Sequence, residues 1–70
     1  MLTLKATARA LQQGEEVRVS HIQHGYRGQA RKLARKKYRI GQTVEGNVVL
    51  YNPRFGASSV VRDVGDRRAA

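Results

Sequence analysis

The chain has 70 residues, with 14 lysines and arginines against 5 acidic residues and no cysteine. That length makes one small domain that buries only roughly 60% of its unfolded surface, and without cysteine neither a disulfide nor a thiolate metal site can support it. No apolar run approaches the ~18 residues of a membrane span, the N-terminus lacks the continuous apolar core of a signal peptide, and a cytoplasmic protein is the expectation.

Taken in order, Leu2–Ala10 alternates strictly, with Leu2, Leu4, Ala6, Ala8 and Ala10 against Thr3, Lys5, Thr7 and Arg9. Period two predicts a half-buried strand, although Leu4, Ala8 and Leu11 also share one helical face. A polar turn around Gly14 follows, then a second strand over Glu16–Ile22 in which Val17 and Val19 alternate with Arg18 and Ser20, so the two strands would form a hairpin.

Gly25–Gly41 is the most distinctive stretch. Between Arg27 and Arg39 it holds seven basic residues (Arg27, Arg31, Lys32, Arg35, Lys36, Lys37, Arg39) and no acid. At helical spacing Ala30, Leu33, Ala34 and Tyr38 fall on one side, while Arg31, Lys32, Arg35, Lys36 and Arg39 fall on the other. Lys37 lies in the middle of the apolar side, where its stem could pack and its ammonium snorkel to the edge. The spacing predicts a helix over Gly28–Tyr38, with Gly41 as its stop and its last-turn cations suited to the helix dipole.

Gln42–Tyr51 reads as a third strand interrupted at Gly46 by a bulge or a close backbone approach. Asn52-Pro53-Arg54-Phe55-Gly56 is a strong turn signal, and Ser58–Val64 is a fourth strand. Residues 65–70 read as a flexible tail after a single compact domain over 1–64. The expected fold is α+β, ordered ββαββ: two hairpins in one antiparallel sheet of about four strands, with one basic amphipathic helix packed on one face.

A solvated helix usually intermixes glutamates with its lysines. Here Arg31/Arg35, Lys32/Lys36 and Arg35/Arg39 are like-charge i,i+4 pairs, each destabilising by a few tenths of a kcal/mol. Such a run is easier to accommodate when a polyanion receives it, and nucleic acid, DNA or RNA, is the first expectation. Arginine's planar fork takes phosphate bidentately. The candidate nucleic-acid-binding residues are Arg27, Arg31, Lys32, Arg35, Lys36 and Arg39, with Tyr26 exposed for stacking and Arg54 as a second contact at a hairpin tip; Tyr38 belongs to the core. Phosphate contacts carry no sequence information, so specificity would be weak.

Other chemistries find little in the sequence. His21 and His24 are spaced i, i+3 without a third ligand at diagnostic spacing, so no metal or other cofactor is expected. Glu15 and Glu16 have no partner nucleophile, Ser58 and Ser59 lack a nucleophile elbow, and no phosphate-loop or dinucleotide fingerprint is present, so an enzyme is not expected. The run RKLARKKYRIGQTVEGNVVL resembles the small SH3-like domains of the bacterial ferrous-iron transport accessory family, and FGASSVVRDV is similar to KOW-type strands. Both likenesses rest on generic residue types; they imply a small β-rich scaffold and transfer no function. The alternative function is a protein-interaction module or inhibitor of phage or plasmid type, anti-CRISPR-like, docking its basic face on an acidic protein surface. A membrane-surface role is disfavoured by the small apolar face of the helix, and the open sheet edges would suit a homodimer.

Overall fold

The computed structural model describes residues 1–64, and the expected tail at 65–70 lies outside the described residues. The first element is a helix, α1, over Leu4–Gln12, which corrects the strand expected at Leu2–Ala10. Its ends explain the outcome. Thr3 caps it by accepting the Ala6 amide on Oγ1 at 3.1 Å. At the other end Gly14 takes φ +88°, the Gly14 amide donates to Leu11 O at 3.1 Å and the Glu15 amide to Ala10 O at 3.0 Å, which together make a Schellman stop. Leu11 and Thr7 are fully buried, and the Thr7 hydroxyl is satisfied by donating to Thr3 O at 2.8 Å.

The second expected strand is reduced to two residues, β1 (Val17–Arg18), after which the chain makes two short 3-10 turns, Val19–His21 and His24–Tyr26. The basic helix α2 runs over Arg27–Lys37, within a residue of expectation. Tyr38 leaves it in extended conformation and is buried, as read from the sequence. Gly41 does not stop the helix but lies inside a strand, β2 (Arg39–Thr43).

The stretch read as one strand over Gln42–Tyr51 is instead a hairpin turn and a strand, β3 (Val48–Tyr51). Gly46, at φ +93°, closes a three-residue loop: its amide donates to Thr43 O, the Thr43 amide to Asn47 O, and the Asn47 amide to Thr43 Oγ1. The Asn52–Gly56 turn forms as expected, but it does not make a hairpin, because β4 (Val60–Asp63) passes over to pair with β2.

The chain is therefore α+β with one open, four-stranded antiparallel sheet in the order β1-β3-β2-β4, its elements following as α1-β1-α2-β2-β3-β4. Register aligns Val17, Leu50 and Ile40 across three strands. Together with Leu11, Ile22, Ala30, Ala34 and Tyr38 they form one core, so both helices cover the same sheet face. Leu2 fastens the start of the chain by pairing with Ile22, the Leu2 amide donating to His21 O and the Gln23 amide to Leu2 O, each at 2.8 Å. Two cross-links hold the crossing loop: Asn52 Nδ2 donates to Leu11 O at 3.0 Å, and Glu16 accepts from both the amide and the hydroxyl of Ser59. Among the described residues no helix is long and apolar enough to cross a membrane.

Candidate nucleic-acid interface

Helix α2 buries Ala30 and Ala34, and this small-residue seam lets the helix lie close to the sheet. The opposite arc is solvent, and there Arg31, Lys32, Arg35 and Lys36 are all exposed. Lys37 is exposed too, which corrects its placement in the middle of the apolar side. The buried side is centred on Ala30 and Ala34 and turned toward Arg27 and Tyr38, leaving Leu33 half-buried at its border. At about 1.5 Å per residue, the cations extend over roughly 10 Å of helix. None of the five makes an ion pair or a side-chain hydrogen bond with another described residue.

The remaining candidates have other positions. Arg27 is half-buried at the first turn of α2, with Nε donating to Ile22 O at 2.9 Å and a terminal nitrogen to Ser20 O at 3.2 Å. Its head is committed to the two carbonyls of the preceding segment, so Arg27 is a latch for the 20–27 connection rather than an open phosphate contact. Arg27→Gln is expected to lower stability by roughly 1–3 kcal/mol, because charge-assisted bonds to carbonyls are lost, and to change the salt dependence of polyanion binding little. A urea melt and a salt titration of the same variant separate the two roles.

Arg39 lies on β2, not on the helix, and pairs with Asp63 across to β4, Nε to Oδ2 at 3.4 Å, both side chains about half exposed. Beside them Tyr51, opposite Arg39 in register, has its phenol pushed above the usual range, chiefly by burial and then by the Asp63 charge, with Arg39 acting in the other direction. Arg54 is exposed in the turn after β3, its amide donating to Asn52 Oδ1 at 3.0 Å. Because Arg39 pairs with Tyr51, the end of α2 and the start of this turn lie at the same end of the sheet. Tyr26 is 37% exposed just ahead of α2.

The helix, then, gathers Arg31, Lys32, Arg35 and Lys36 on one open surface and adds Lys37, while Arg27 at its first turn and Arg39 on β2 are engaged by contacts within the chain. Lys37 was legible in principle: Arg27 at the same side as Ala34 and Tyr38 shifts the centre of the buried stripe away from it. His21 and His24 are exposed, and among the described residues no group of three or more His, Asp or Glu side chains comes together around a metal-sized space. Compared with protein-family models, curated proteins and solved structures, the chain matches none of them.

Proposed function

We propose that this chain is a small, non-enzymatic nucleic-acid-binding protein that holds phosphates on the open arc of α2. The observation that supports it is the set of five exposed cations, Arg31, Lys32, Arg35, Lys36 and Lys37, on a helix with no acidic residue and no internal ion pair among the described residues. Their mutual repulsion weakens an isolated helix, and packing of the alanine seam against the sheet offsets it. An arriving phosphate chain relieves the repulsion and releases its own condensed counterions. These contacts fix affinity and position without reading sequence.

The test is a fluorescence-anisotropy titration of the pure protein against random duplex DNA, single-stranded DNA and RNA across a salt series. For five neutralised phosphates, log K is expected to fall against log salt with a slope of roughly −4.5 on duplex DNA and roughly −3.5 on a single strand. No binding even near about 50 mM salt, where such contacts are strong, would overturn the reading and direct the search to an acidic protein surface.

A further inference from the structure

The cations of α2 have neighbours on α1. That helix buries Thr7 and Leu11 and half-buries Leu4, which puts Lys5 and Arg9 on the arc turned away from the core, and both are exposed. They stand at i,i+4 and repel as Arg31 and Arg35 do on α2. Neither makes an ion pair or a side-chain hydrogen bond with another described residue. The buried sides of α1 and α2 belong to one core over one sheet face, and the two helices pack against each other. Their open arcs therefore point out of the same side of the molecule.

This layering sorts the charge. Neither helix contains an acidic residue, and the described acids lie elsewhere: Glu15 and Glu16 in the turn after α1, Glu45 in the β2–β3 loop and Asp63 on β4. Neither helix contains an aromatic residue either. Tyr26, mostly covered ahead of α2, falls about 140–180° around the helix axis from Arg31 and Arg35. The helix layer thus offers phosphates a broad cationic surface and offers free bases no ring to stack on.

That combination discriminates between forms of nucleic acid. Proteins that hold a single strand follow its one backbone along a basic groove and stack its bases on aromatic rings. A duplex keeps its bases in its own stack and presents two backbones across a groove, about 12 Å wide for the major groove of B-DNA. Packed helices have axes about 8–10 Å apart, so the cations of α1 and α2 form two rows at about that separation. We infer that the helix layer binds duplex nucleic acid, with α2 seated on one backbone and Lys5 and Arg9 of α1 on the other. This rests on the nucleic-acid reading above and adds to it the form of the ligand and two residues of the site.

The experiment measures wild type, the double variant Lys5→Gln with Arg9→Gln, and Arg18→Gln by anisotropy. The probes are a labelled DNA duplex, an RNA duplex, an oligo-dT and an oligo-U of equal length, each across a salt series. Wild type is expected to bind a duplex roughly ten-fold or more tighter than either single strand, a comparison that needs no variant. Two contacts beyond the five on α2 steepen the salt slope on duplex DNA from roughly −4.5 to roughly −6.3. The double variant is expected to return it to roughly −4.5 and to weaken duplex binding tens-fold near about 0.1 M salt. Arg18 is exposed and alternates on β1 with the core residue Val17, so it lies on the sheet face away from both helices. Arg18→Gln removes a charge from that face and is expected to leave the slope unchanged. A single strand bound as tightly as the duplexes, a slope that the double variant does not change, or an equal fall per charge in Arg18→Gln would overturn the duplex inference, while steep salt-dependent binding by wild type would leave the phosphate reading in place. Absence of all nucleic-acid binding by wild type would overturn both.

Discussion

Arg31→Glu combined with Arg35→Glu is expected to abolish nucleic-acid binding and leave the fold intact. Both side chains are exposed on α2 and neither touches another described residue by hydrogen bond or ion pair, so folding does not depend on them. An acidic pair at 31 and 35 repels at i,i+4 as the arginine pair does, while the new acid at 31 faces Arg27 one helical turn away with the opposite charge. Stability is therefore expected to stay within about 0.5 kcal/mol of wild type or to rise slightly. Binding follows the opposite course. Each charge-assisted contact contributes about 1.5–3 kcal/mol, so losing two weakens the complex at least roughly a hundred-fold, and two new negative charges repel the phosphates that remain nearby. Circular dichroism melts and anisotropy on the same preparation check both halves. Wild-type affinity in the double variant would remove α2 from the interface.

Gly41→Ala carries the largest expected effect on stability. Gly41 is buried in β2 between both of its neighbours, facing Val49 on β3 and Asp63 on β4 in register. A Cβ there would run into Val60 Cγ1 and come within 2.9 Å of Arg62 O, and the carbonyl belongs to the backbone of β4, which cannot step aside without opening the β2–β4 ladder. Overpacking of this kind costs about 1–3 kcal/mol and sometimes more. At ~0.05–0.15 kcal/mol per residue, a domain of this size has roughly 3–10 kcal/mol in total. A large share of the stability should therefore go, seen as a much lower urea midpoint. Val60→Ala in the same background removes one of the three obstacles, leaving Arg62 O and Tyr51 Cε1, and should restore part of the loss. A Gly41→Ala protein as stable as wild type would show that the close approach is not a constraint.

The sequence carried the class of the fold and the place of the basic helix, and it misled where small residues blur periodicity. α+β architecture, a four-stranded antiparallel sheet and a helix over about 28–38 were all legible, because Ala30, Leu33, Ala34 and Tyr38 repeat at helical spacing over a long window. Leu2–Ala10 was not, because alanine fits the half-exposed flank of a helix as easily as one face of a strand, and three of the five alternating residues are alanines. Thr7, read as an outward polar position, is fully buried, since a hydroxyl can bond back to its own helix. The cap at Thr3 and the stop at Gly14 were the better guides there. Gly41 and Gly46 exchanged meanings for a related reason: glycine marks both a close approach and a turn, and only strand pairing decides between them. Val44, 84% exposed at the turn, lies where an apolar residue suggested strand interior. At the interface, exposure of the helix cations was legible from the wheel, whereas the commitment of Arg27 to the carbonyls of Ile22 and Ser20 depends on a chain path that no local pattern encodes.

The three-residue loop that joins β2 to β3 has a consequence for the order in which this protein is made. It closes the sole strand pair among the described residues that is adjacent in sequence; β1 meets β3 through Val17 and Leu50, and β4 reaches back to β2 across the whole of β3 and the turn after it. Loop-closure entropy grows with length, so the local hairpin is the pairing that forms at least cost, and the two edges add to it from opposite ends of the chain. During synthesis α1 and α2 emerge first and can flicker as helices, but they have no sheet to cover until Tyr51 has left the ribosome. The cationic helix is thus released ahead of the surface that shields its apolar side, beside a machine built largely of RNA, and the late arrival of one short hairpin turns a sticky basic peptide into a domain.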